Sequence, residues 1–243
     1  MSAPTRCLLA VTLVLAACSP PPAGAPDGAA PAAGAAAGAA ATAQQDKVLA
    51  MYRQMLAAQQ WELAAPIGQE IVAKYPGSSA AAEVQQTLAD ASAKAEAEAT
   101  RRRLAALWIY QSGKESGADQ VTASIYSRDL SPANRVRLIL RRHAKWGQSV
   151  YLFGSGKGFV CKGVCMLEAS FDDKPARLAA FLPDTGEPAI FIKDDKGFIA
   201  RLEHTGNLTI KVTEKGKQAR MLTFEVGGYD AAKFPQLAVG RKP

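Results

Sequence analysis

The chain has 243 residues, 48% of them hydrophobic and 21% charged, with a formal net charge of +7. That is enough chain for one or two ordinary domains with a real core, and the apolar content excludes a wholly disordered protein. The charge is uneven: from Trp108 onward there are 21 basic and 14 acidic side chains, whereas the segment from Cys18 to Leu107 has 7 and 8. A basic surface confined to the C-terminal part suits an anionic partner.

Arg6 and the free N-terminus make a short positive region, and residues 7–15 are apolar. Ala16 and Ala17 are the small residues that signal-peptide cleavage needs. This run is too short to remain in a bilayer as a spanning helix. The stretch Leu15-Ala16-Ala17-Cys18 resembles a bacterial lipobox, followed at once by Ser19 and three prolines. The resemblance implies removal of residues 1–17 and attachment of lipid to Cys18. It also implies a bilayer as the first partner. Ser19, where inner-membrane retention would often use aspartate, implies an outer-membrane lipoprotein on the periplasmic face.

Residues 18–43 are Ala, Pro and Gly with almost nothing large enough to bury. Such a segment is expected to stay unstructured and to act as a leash reaching about 25–30 Å. The helical pattern begins near Gln44. Val48, Met51, Tyr52, Met55 and Leu56 form one stripe, and Trp61, Ala64, Ile67, Gly68, Ile71 and Val72 a second. Pro66 marks either the start of that second helix or a bend in it. Pro76 and Gly77 stop it, and Ser78 or Ser79 caps a third helix that runs to about Leu107. Glu98 and Arg102 are spaced to pair along that helix.

Trp61, Ala64, Lys74-Tyr75-Pro76, Ser78 and Ala80 give residues 44–107 a resemblance to a single tetratricopeptide repeat, with Gln59 where the motif usually has glycine. The resemblance implies a protein-interaction or spacer module. One repeat excludes an extended solenoid.

After Leu107 the text turns to short runs of Val, Ile, Tyr, Phe and Thr between glycines and charges. Strands are expected over 107–111, 120–127, 135–141, 149–153, 158–161, 165–171, 177–182, 188–193, 207–213 and 219–227. Phe198, Ile199 and Leu202 after Asp194-Asp195 suit one short helix. The expected fold is therefore α+β: a helical segment, an antiparallel β-sandwich over 108–232 with one packed helix, and a tail over 233–243.

Once Cys7 leaves with the signal peptide and Cys18 carries lipid, Cys161 and Cys165 are the remaining pair, and an oxidising compartment lets them bond. Their expected use is to pin two strands across a three-residue turn. A redox or metal role lacks the C-x-x-C spacing and a second ligand pair. Phe159, Cys161, Cys165, Phe171-Asp172, Phe198, Leu202, Leu208-Thr209-Ile210 and Thr223 to Asp230 follow an order that resembles VasI/TagO-type proteins accompanying type VI secretion and invasion-associated locus B proteins. Both groups are small extracytoplasmic β domains, and the resemblance implies fold and compartment without transferring a site.

No catalytic residue is nominated. His143 and His204 lack metal-ligand spacing and read as surface or turn residues. Gly154-Ser155-Gly156-Lys157-Gly158 lacks the remaining features of a phosphate loop and reads as a turn. Asp172-Asp173-Lys174-Pro175 and Asp194-Asp195-Lys196-Gly197 read as turns too. No cofactor, metal or nucleic acid is expected. The candidate binding patch is Arg135, Arg137, Arg141, Arg142 and Lys145 with Trp146, because clustered guanidiniums suit phosphate or carboxylate and an indole adds an apolar anchor. The expected function is non-enzymatic: a scaffold or ligand-binding component of the envelope, with a secretion system as one setting, and an anionic envelope protein as partner. The alternative is an inhibitor or immunity lipoprotein.

Overall fold

The computed structural model describes residues 32–129 and 131–237. The signal peptide, Cys18 and the first part of the leash lie outside the described residues. The chain divides into two compact units at Asp46 and Lys47. In the first, helix begins at Ala32, inside the segment expected to be unstructured. The reason is composition: from Ala32 to Ala43 the chain is alanine apart from two glycines and a threonine, and alanine has the highest helix propensity. Thr42 Oγ1 donates to the Gly38 carbonyl at 3.0 Å, one turn back.

α1 (Ala32–Ala57), α2 (Trp61–Lys74) and α3 (Ser79–Ala106) supply the helical segment. From Lys47 onward, Leu49 and Tyr52 pack with Ala64 and Ile71 of α2 and Ala80 and Val84 of α3. Tyr52 Oη and Thr87 Oγ1 share a hydrogen bond of 2.8 Å. Gly68 sits at the crossing, where an added Cβ would stand 2.8 Å from both Tyr52 and Leu88. α2 begins at Trp61 and passes through Pro66, whose ring is exposed and which supplies no amide to the carbonyl one turn back. Ser78 caps α3 by accepting from the Ala81 amide at 3.1 Å. Arg102 does not pair along its own helix; it reaches across to Glu62 of α2.

The rest is a β domain with one sheet. Its strands are β1 (Ile109–Glu115), β2 (Ala118–Tyr126), β3 (Arg137–His143), β4 (Gly147–Phe153), β5 (Val164–Phe171), β6 (Lys174–Phe181), β7 (Ala189–Ile192), β8 (Asn207–Thr213) and β9 (Ala219–Glu225). The order is β1-β2-β3-β4-β7-β6-β5-β8-β9, and every pairing is antiparallel. This corrects the expected sandwich. After β4 the chain skips two places, and β7 returns to pair with both β4 and β6, so the ladder continues unbroken where a sandwich would split.

Alternation does the rest. Leu138, Leu140, Val150, Leu152, Leu208, Ile210, Leu222 and Phe224 share the inner face and one core. α4 (Asp195–Leu202), capped by Asp194 through the Gly197 amide at 2.9 Å, buries Phe198, Ile199 and Leu202 in the same core. Phe234, assigned above to a tail, is buried there as well. The sheet curls until its ends approach. The Arg128 amide, just past β2, donates to Thr223 O of β9 at 2.8 Å, and Trp108 Nε1 donates to Val226 O at 3.2 Å.

Charge closes that seam. Glu214, only 3% exposed, is paired with Arg220 at 3.1 Å and Lys217 at 3.2 Å. Arg220 also meets Asp129 at 2.7 Å and the Asn134 carbonyl at 2.5 Å, tying β9 to the β2–β3 connection. The C-terminal end of α3 rests on the same edge, where Arg103 grips Glu225 at 3.0 Å.

Residues 158–161 do not form a strand. Phe159 makes one isolated bridge with Glu214 and is otherwise a buried plug in the β4–β5 connection. Its apolar neighbours gave the run a strand-like pattern, but it meets the chain at the end of β8 through only two backbone bonds, Val160 N–H to the Thr213 carbonyl and Lys215 N–H to the Gly158 carbonyl, both 2.8 Å.

Candidate binding face

The sheet's outer face is set by the residues that alternate with the core. On β3 these are Arg137, Ile139 and Arg141; on β4, Ser149, Tyr151 and Phe153. Register places Tyr126, Arg137, Phe153 and Ala189 in one cross-strand row. A second row runs Ile139, Tyr151, Phe191, Phe181 and Val164 over five adjacent strands. Cross-strand neighbours stand close enough for rings to interact. Tyr151 stacks on Phe191 at 4.7 Å between centroids, and Phe191 on Phe181 at 5.6 Å.

The two arginines are set into this aromatic surface. The Arg141 guanidinium carbon is 5.2 Å from the Trp146 ring centre and 5.4 Å from that of Tyr151, and Nε donates to Ser149 Oγ at 3.2 Å. Arg137 lies 5.7 Å from the Tyr126 ring, and its Nη2 donates to Ser124 Oγ at 2.8 Å. Its Nε is buried and has no hydrogen-bond partner among the described residues. Neither arginine has a carboxylate partner among the described residues. Burial raises the Tyr151 phenol above its ordinary range, while Arg141 and Arg137 pull it back down. A guanidinium cushioned on aromatic faces keeps its outer N–H groups available for a planar oxyanion.

Trp146 is held by a residue read from sequence as a surface histidine. His143 is 3% exposed and stacks on Trp146 with centroids 3.8 Å apart. Its Nδ1 accepts from the amides of Lys145 and Trp146, both at 3.2 Å, which leaves Nε2–H to donate to Glu115 O at 3.0 Å. The indole is thereby fixed while remaining 51% exposed.

The sequence patch is thus partly assembled. Arg137 and Arg141 share one face, with Arg141 against Trp146 and Arg137 four residues along the strand at Tyr126. Arg142 does not join them: it follows Arg141 directly, so its side chain leaves the opposite face. Its guanidinium lies 4.1 Å from the Phe234 ring and donates to the Phe234 carbonyl, and burial lowers its pKa. Arg135 precedes β3 and donates to the Asp129 carbonyl at 3.3 Å, and Lys145 turns aside to the Ser116 carbonyl at 3.2 Å. The aromatic half of the face, Tyr126, Tyr151, Phe153, Phe181 and Phe191, was not nominated from sequence. Its signal was the shared parity of Tyr151 and Phe153 with Ser149 inside an expected strand.

Cys161 and Cys165 are disulfide-bonded, with Cα atoms 5.6 Å apart. The bond does not pin a hairpin, because Cys161 sits in the loop and β5, which carries Cys165, pairs with β6 and β8. The acidic pairs are structural. Asp172 and Asp173 have φ of 45° and 63° in the β5–β6 turn. The Asp172 carboxylate accepts from the Gly206 amide at 2.9 Å and the Asn207 amide at 2.7 Å, which lowers its pKa. Beside it, Phe171, Lys174, Arg201 and His204 line a cleft of about 580 Å³. Among the described residues no group of His, Cys, Asp or Glu is placed to hold a metal, and no helix is long and apolar enough to cross a membrane.

Comparison of the chain with protein-family models, with curated proteins and with solved structures gives no match.

Proposed function

We propose that this chain is a lipid-anchored, non-catalytic binding protein of the bacterial envelope. Cys18 carries the lipid, and the outer face of β3, β4, β7 and β6 is the binding head. Ser19 supports an outer-membrane position on the periplasmic side, and the resemblances over residues 44–107 and 159–230 support a spacer module and a role in secretion or envelope assembly. The observation that carries the binding reading is the pair Arg137 and Arg141, held on aromatic rings without a carboxylate partner among the described residues. Ordinary surface arginines are screened or paired at little net gain. Here hydroxyl partners orient the guanidiniums and leave their charge uncompensated, an arrangement suited to an anion.

Labelling cells with an alkyne-bearing fatty acid tests the anchor. Label is expected on the wild-type chain and absent from Cys18→Ala; equal labelling of both would overturn the assignment.

A further inference from the structure

We infer that the aromatic–arginine face docks on an anionic lipid bilayer surface, the headgroup phosphates meeting Arg137 and Arg141 while the rings enter the interface. This rests on the binding reading above and names what that face binds. Three features of the face favour a bilayer.

First, the apolar row from Ile139 to Val164 crosses five strands, about 19 Å at ordinary strand spacing. It is carried by the face of the sheet that points away from the core. Second, along the aromatic row Tyr151, Phe191 and Phe181 are each paired with a residue on both sides. A peptide therefore finds no backbone edge within that row on which to add as a strand.

Third, positive charge prevails on this face. The outward positions of these four strands include Arg137, Arg141 and Arg177 and no acidic residue, and Glu168, outward on the neighbouring β5, sits across from Arg177 and is paired with Lys211 at 2.9 Å. Glu187 and Glu115 act on Tyr151 only after the two arginines. A second copy of the chain would bring like charges together, and an ordinary protein surface offers both signs. An anionic bilayer is uniformly negative and accepts Tyr, Trp and Arg at its headgroup level. Trp146, Phe153, Phe181 and Val164 are all exposed to meet it.

Of the three tryptophans, Trp108 is buried in the β core and Trp61 opens α2 away from this face, so the quenching lost on Trp146→Phe reports this face. The purified full chain, with whatever lipid the cell has attached, is mixed with vesicles whose acyl chains are brominated. One set contains phosphatidylglycerol and the other phosphatidylcholine alone. Tryptophan quenching in the phosphatidylglycerol vesicles is expected, and the Trp146→Phe chain should lose that component. Replacing Arg137 and Arg141 by glutamine should weaken docking about thirtyfold, at about fivefold per basic residue, and added salt should weaken it further. Should that pair disturb folding, Phe153→Ser with Phe181→Ser tests the same face with its charge intact and must also reduce quenching. Flotation with the vesicles reports the Cys18 anchor separately. Flotation without Trp146 quenching would leave the anchor standing and overturn the docking, and the face would then belong to a protein. Quenching without an acyl group would do the reverse. Equal quenching in phosphatidylcholine would overturn the role of the arginines.

Discussion

The backbone of Leu104, in the last turn of α3, lies directly on Gly228, so that a Cβ at position 228 would fall on the Leu104 carbonyl group. This contact joins the helical segment to the β domain beside the Arg103–Glu225 pair. No flexible side chain is present to move aside; the backbone itself must shift. Gly228→Ala is expected to lift α3 from the sheet edge while the β core persists. Limited proteolysis should then cut near Leu107 far faster than in the wild type, with an intact β fragment left. Unchanged proteolysis would mean that the α3 end is not held there.

The disulfide closes a five-residue loop, for which chain-entropy reasoning gives about 2 kcal/mol. Because Cys161 lies off the ladder, removing the bond should loosen the β4–β5 connection without shifting strand register. Cys161→Ser with Cys165→Ser should lower unfolding stability in urea by about that amount and leave the amide exchange of β6 and β8 unaltered. Slippage seen as new exchange along β5 and β6 would restore the register-pin interpretation.

Local pattern was legible where one element decides its own conformation. The three-and-four spacing of Val48 to Leu56 and Trp61 to Val72 marks two helices that the structure contains, and Leu138 and Leu140 mark the inner face of β3. Gln59, flagged because the repeat motif has glycine there, has φ of 55° at the α1–α2 turn. What sequence did not contain was the non-local pairing of β7 between β4 and β6. That pairing aligns Phe191 and Phe181 with Tyr151 and makes one face from three separate segments. The error over Arg142 has a different cause. Adjacent strand residues point to opposite faces, so Arg141 and Arg142 could never share a patch, and grouping by proximity in sequence overrode alternation.

Arg220 connects Glu214, Asp129 and the Asn134 carbonyl across the seam. Truncating it leaves Glu214 buried with Lys217 alone, and Glu214 Oε1 already lacks a hydrogen-bond partner among the described residues. Arg220→Ala is expected to cost about 3 kcal/mol, toward the lower end for breaking a buried pair because Lys217 remains. Urea unfolding checks this. Arg220→Met with Glu214→Leu should recover part of the loss, since an apolar pair leaves no buried charge; no recovery would show that the contacts to Asp129 and Asn134 carry the seam.

Asp172 gives the acid response of the β5–β6 hairpin. The amides of Gly206 and Asn207 hold its carboxyl below the usual carboxylate range, so the folded state binds this proton more weakly than the unfolded chain does. A depressed folded pKa contributes stability that is fully present above the unfolded value near 4 and is lost as pH falls through the folded value. Glu225, lowered by Arg103, titrates in the same direction at the α3 contact. Melting temperature should therefore be flat near neutrality and fall below about pH 4. Asp172→Asn tests the site because asparagine tolerates the positive φ and its carbonyl oxygen still accepts a hydrogen bond. The variant should be less stable than wild type at pH 7 and converge with it in acid. A constant gap between the two melting curves at all pH values would show that the Asp172 charge is not what the amides recognise.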